Sequence, residues 1–131
     1  MLDASVALSW VLPDEDAEAA LALRQRAIRA APPLSVPPTF WFEVANALSV
    51  SIRRGRIAAS GAHAALEALQ AFGIETSACA VPACLAVAEG TGLAVYDAAY
   101  IVTALDVGGV LGTADVQMRE IAHAVGLEVL P

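Results

Sequence analysis

Short apolar runs alternate with longer segments of helical periodicity along the whole chain. That alternation predicts an α/β fold, a parallel sheet with helices on both faces. Residues 2–6 read as a short strand, cut close by the start of the chain. Pro13 followed by Asp14, Glu15 and Asp16 reads as a helix start, because carboxylates suit the positive end of a helix; this helix is expected to reach Arg29. Residues 34–36 predict a second strand. Pro37, Pro38 and Thr39 then open a helix that closes at Gly55, behind Arg53 and Arg54. Arginines suit the negative helix end, and glycine suits the position just past it. The pattern continues as helix 60–72, strand 74–76, short helix 82–89 closed by Gly90 and Gly92, helix 96–105 and strand 110–112. A helix over 115–125 and an edge strand over 128–130 complete it. In the 115–125 helix, Met118, Ile121, Ala122 and Val125 recur at i, i+3, i+4 and i+7, which makes one apolar face.

With 131 residues, 58% of them hydrophobic, the chain suits one domain with one core over 1–131. The longest charge-free apolar stretches, 30–42 and 76–88, contain proline and fall short of the roughly twenty residues that a membrane span requires. No basic residue precedes Arg24, so the start does not read as a secretory signal, and the expected address is the cytoplasm. Cys79 and Cys84 read as small core residues rather than a disulfide framework or a zinc site. His63 and His123 lie far apart and read as surface residues. No phosphate-binding G-x-x-x-x-G-K or dinucleotide-binding G-x-G-x-x-G occurs.

Against this background four carboxylates stand out. The helix opening at Thr39 is apolar on nearly every face, yet it carries Glu43, with Asn46 at i+3 on the same face. Asp97 opens YDAAYIVTAL, which has no other charge before Asp106. Asp3 precedes Ala4, Val6, Ala7 and Leu8, and Asp115 follows VLGTA directly after a predicted strand. An ionised carboxylate among apolar neighbours is costly unless something neutralises it. Asp3 and Asp115 fall at strand C-terminal ends, and Glu43 and Asp97 in first helical turns. In a parallel α/β sheet those positions share one edge, where ligands bind. Singly, Asp97 and Asp115 also suit helix capping, and Glu43 suits the helix dipole. Four acids converging on one edge need a cation. Lys is absent, and Arg119, at i+4 from Asp115, is the nearest arginine. An all-oxygen site without His or Cys suits Mg²⁺ or Mn²⁺ rather than zinc. The matching chemistry is phosphodiester hydrolysis, with the ion polarising the phosphate and helping to deprotonate a water.

These residues sit in segments that together resemble the PIN-domain family, in the VapC-type toxins of bacterial toxin–antitoxin pairs. LDASVALSW (residues 2–10), PPTFWFEVANAL (37–48), RRGRI (53–57), GLAVYDAAYIVTAL (92–105) and LGTADVQMREIAHAVGLEVL (111–130) resemble the family's successive motifs, in order, over essentially the whole chain. The resemblance implies a Rossmann-like fold with a central parallel sheet of about five strands. It implies Mg²⁺ or Mn²⁺ held by Asp3, Glu43, Asp97 and Asp115, with Ser5, Asn46 and Thr113 at supporting positions. It also implies endoribonuclease activity on RNA such as tRNA or rRNA, a homodimer, and a cognate antitoxin that inserts a segment into the catalytic groove. Three features depart from the family pattern: only two residues precede Asp3, Ser9 stands where Lys is common, and Gly112 stands where a larger apolar residue is common.

The net charge of −7, from 14 acids and seven arginines, repels nucleic acid on average. Part of it lies in the acidic cluster, where a bound ion offsets it. Arg53, Arg54 and Arg56 are candidates for gripping RNA phosphates, although they suit helix capping equally well. The acidic surface suits a basic antitoxin. The main alternative is a catalytically silent PIN-like module that binds RNA or protein. A receiver-type phosphoacceptor is disfavoured by the absence of Lys. A haloacid-dehalogenase-type phosphatase is disfavoured because Ser5, not Asp, follows Asp3 two places on.

Overall fold

The computed structural model describes residues 1–12, 24–25 and 34–130. The elements are α1 (Ala4–Ser9), β1 (Ser35–Val36), α2 (Phe40–Arg53), α3 (Ala59–Gln70), β2 (Glu75–Thr76), α4 (Val81–Thr91), α5 (Val95–Asp106), β3 (Leu111–Gly112), α6 (Val116–Ala124) and β4 (Val129–Leu130). The helix expected from Pro13 to Arg29 lies outside the described residues, apart from helical Arg24 and Gln25.

The regular strands are only two residues long. β1 pairs in parallel with β2, and β3 pairs in parallel with β4. The N-terminal segment joins the two pairs. The Leu2 N–H donates to the Ser35 carbonyl at 3.2 Å, the Asp3 N–H to Gly112 at 2.9 Å, and the Gly112 N–H to Met1 at 3.0 Å. Leu2 and Gly112 form a parallel bridge. Five segments therefore lie side by side in the order β2, β1, residues 1–3, β3, β4, and the expected Rossmann-like sheet is present in abbreviated form.

The first strand differs from expectation. Residues 2–6 are not all extended; strand pairing stops at Leu2 and α1 begins at Ala4. Asp3 is the reason. Its backbone is extended (φ −79°, ψ 149°), and its carboxylate accepts from the Ser5 N–H, so the residue that ends the strand also caps the helix. The following residues Ala4, Val6, Ala7 and Leu8 are all buried, so their apolar run met the burial requirement of a helix as well as of a strand.

The main core joins α1, α2, α3, α5 and α6 to the strands through Leu2, Phe40, Val44, Leu69, Ile101, Leu111 and Met118. Full burial of each such side chain contributes ~1.5–3 kcal/mol. On α6, Met118 and Ala122 are buried and Ile121 partly so, but Val125 is exposed, which narrows the predicted apolar face. A smaller core of Cys84, Ala88, Ala98, Ala99 and Val102 fills the space between α4 and α5, with Cys79 at its edge. Gly92 ends α4 in the left-handed conformation (φ 76°) that glycine adopts without a Cβ clash. α5 is buried continuously from Ala98 to Ala104, so it runs through the interior. Among the described residues, no single helix is long and apolar enough to cross a membrane.

Candidate active site

Asp3 is the buried centre of the site, at 8% exposure. The backbone of residues 1–3 is hydrogen-bonded to β3, which fixes where its side chain starts. Two hydroxyls then fix where it ends. The Ser5 Oγ donates to Asp3 Oδ2 at 2.6 Å, and the Thr113 Oγ1 donates to the same oxygen at 2.9 Å. Oδ2 thereby has both lone pairs engaged, and Oδ1, which meets only the Ser5 N–H at 3.4 Å, keeps a lone pair for a further ligand.

Thr113 is fully buried and couples the next acid to this one. Its Oγ1 accepts the Asp115 N–H at 3.1 Å, and its carbonyl accepts from Arg119 Nη2 at 3.1 Å. Asp115 is exposed and caps α6, where its Oδ1 accepts the Met118 N–H at 2.7 Å. The capping role foreseen for Asp115 is thus real, and it leaves the second carboxylate oxygen to the site. Arg119, one turn after Asp115, turns its guanidinium to the Thr113 carbonyl, and its Nε is buried without a hydrogen-bond partner.

Glu43 lies half-buried in the first turn of α2, which opens shortly after Pro37 and Pro38. Its Oε2 accepts from the hydroxyl of Tyr100 at 2.5 Å. Its Oε1 is buried with no hydrogen-bond partner, as is Thr39 Oγ1 one turn before it. Burial is the first cause that holds the Glu43 carboxyl above the usual range, opposed by the Tyr100 and Thr39 hydroxyls and reinforced by the charges of Asp3 and Asp97. Asp97, in the first turn of α5, is raised by burial first and then by Asp115 and Asp3. These mutual effects link all four acids into one electrostatic group on the predicted edge of the sheet.

The other candidates are placed differently. Asn46 is exposed on α2. Arg53, Arg54 and Arg56 are exposed at the far end of α2. At 1.5 Å of rise per residue, Arg53 lies about 15 Å along the axis from Glu43. Tyr100 was not foreseen as a site residue. Its signal was present: in YDAAY it stands at i+3 from Asp97, on the same face.

Among the described residues, no three His, Cys, Asp or Glu side chains form a tight preassembled metal cluster. The residues nevertheless fit a hard divalent ion. The donors are all oxygens, the acids repel one another, and buried Glu43 Oε1 lacks the partner that its burial demands.

A sheet of this order with an acidic edge, built from one strand end, one inter-element loop and two helix starts, defines the PIN-domain class, and the chain belongs to that family: it matches the PIN-domain model over residues 1–124. It is 34% identical over 124 residues to Ribonuclease VapC3 of Pyrobaculum aerophilum, an alignment that covers 92% of each chain, and this likeness puts it on the VapC-type branch. Its fold is similar to the crystal structure of PAE2754 from Pyrobaculum aerophilum, with a TM-score of 0.74 and 25% identity, covering 98% of this chain and 81% of the other.

Proposed function

We propose that the protein is a Mg²⁺- or Mn²⁺-dependent endoribonuclease acting as the toxin of a toxin–antitoxin pair. The observation that carries this reading is the coupled acidic group with its one unpartnered buried oxygen, Glu43 Oε1. Asp3, Glu43, Asp97 and Asp115 would hold the ion. When bound, the ion polarises a phosphodiester and lowers the pKa of water. Ser5 and Thr113 fix Asp3, and the capping bond to Met118 fixes Asp115, so the carboxylates are oriented before substrate arrives. The similarity to a relative named as a ribonuclease supports the same reaction class, with structured RNA such as tRNA or rRNA as substrate.

Exposed Phe42, Tyr96 and Val116 each directly adjoin one of these acids in sequence. They offer apolar contacts beside the acids for RNA bases or for an inserted antitoxin segment. Exposed Val81 and Leu85, one turn apart on α4, suit pairing with a second copy in a homodimer. The cytoplasm is the compartment this reading requires.

The test is cleavage of single-stranded and tRNA-like substrates with Mg²⁺, with Mn²⁺ and with a chelator. Cleavage is expected with either ion, none with chelator, and none by Asp97→Asn in any condition. Activity that survives strong chelation would exclude the ion-dependent mechanism. RNA binding without cleavage by the wild-type chain, under every ion condition, would favour the silent-module reading instead.

A further inference from the structure

Tyr100 is fully buried, and its hydroxyl meets Glu43 Oε2 at 2.5 Å across 57 positions of sequence. The bond ties α5, which carries Asp97, to α2, which carries Glu43. A phenol has one proton to give, and it gives it to one carboxylate oxygen only. The other oxygen, Oε1, is buried and accepts no well-formed hydrogen bond, although the Thr39 hydroxyl lies close to this carboxylate. A carboxylate free to rotate would exchange these two environments; the Tyr100 bond holds them apart. We infer that Tyr100 is a positioning residue that locks the Glu43 carboxylate with Oε1 presented to the divalent ion.

The inference rests on the proposed ion site but concerns a residue outside it. Partners that orient ligand carboxylates commonly account for ~10–100-fold in metal affinity. Tyr100→Phe keeps the ring that fills the interior and removes only the donor. Thr103→Val is the matched control. Thr103 is likewise fully buried on α5, but its hydroxyl donates to the Ala99 carbonyl rather than to a carboxylate.

The experiment is Mn²⁺ titration of the full chain by calorimetry for the wild type, Glu43→Gln, Tyr100→Phe and Thr103→Val, each checked by its melting temperature. Tyr100→Phe is expected to weaken Mn²⁺ binding by ~10–100-fold, toward the Glu43→Gln value. Thr103→Val is expected to match the wild type. A Tyr100→Phe chain that melts lower yet binds Mn²⁺ like the wild type would make Tyr100 a packing residue and overturn the inference. Wild-type affinity no better than that of Glu43→Gln would instead remove the ion site, and the functional reading with it.

A second measurement needs no substitution at Tyr100. The chain has two tyrosines, exposed Tyr96 and buried Tyr100. With 3-fluorotyrosine incorporated at both, fluorine NMR gives one resonance for each. The buried resonance is expected to shift saturably with Mg²⁺ and to lose that response in Glu43→Gln. A buried resonance that stays fixed while the ion binds would also overturn the inference.

Discussion

Asp97 shows how function and stability oppose each other at a single residue. Its folded pKa stands above the ordinary 3.8, through burial first and then through Asp115 and Asp3. A carboxyl raised in this way holds its proton more tightly in the folded than in the unfolded chain. Its contribution is complete below that ordinary value and is lost as pH rises through the raised one. At neutral pH the ion-free protein therefore carries Asp97 at a cost that partial solvent exposure keeps modest. Asp97→Asn is expected to raise the melting temperature of chelator-treated protein by ~2–4 °C at neutral pH, with the gap closing as pH falls toward 4. Thermal melts of both chains across that range check it. A variant that melts lower than the wild type at neutral pH would show Asp97 to be a structural cap. Mg²⁺ should reverse the order, because a ligand that binds only the folded wild type stabilises it by mass action.

Among the elements, helices were easier to read than strands. α2 through α6 each span at least two turns, enough for apolar spacing, proline starts and glycine stops to agree with one another. The strands are two residues each, too short for alternation to be visible, and only their place between helices revealed them. α1 was misread because Asp3 serves both elements, ending one and capping the next. The four acids were legible because charge inside an apolar run is conspicuous. The Tyr100–Glu43 bond was not, because contacts across 57 positions leave no trace in local pattern. Asp115 also serves an element and the site together, and substitution separates the two roles. Asn caps as well as Asp, so Asp115→Asn is expected to preserve stability within ~0.5 kcal/mol while cleavage falls steeply. Asp115→Ala should lose the cap as well, at ~1 kcal/mol. Paired denaturation curves and cleavage rates test this, and equal stability losses in the two variants would contradict the capping assignment.

For the molecule as a whole, the difficulty is an acidic surface that must bind RNA. Of the seven arginines, Arg119 is turned to the Thr113 carbonyl and Arg24 lies over the Phe72 ring at 5.1 Å. Arg53, Arg54 and Arg56 are exposed at the end of α2, where Arg53 lies about 15 Å along the axis from Glu43. A single strand advances several ångströms per phosphate, so RNA crossing the acidic edge can reach these arginines a few nucleotides away. Each phosphate neutralised on a single strand contributes about −0.7 to the slope of log K against log salt. Among the described residues these three exposed arginines would contribute about −2 to that slope, shallow for a nucleic-acid-binding protein. On the proposed reading, further affinity would come from the ion and from contacts to bases, where exposed Phe42 and Tyr96 offer faces for stacking. Replacing the three arginines by Gln is expected to flatten the slope toward zero and raise KM several-fold, while kcat and Mn²⁺ affinity hold. Binding measured across a salt series in wild type and triple variant decides the matter. A wild-type slope much steeper than −2, or a triple variant that keeps it, would mean that the phosphates are gripped elsewhere on the chain.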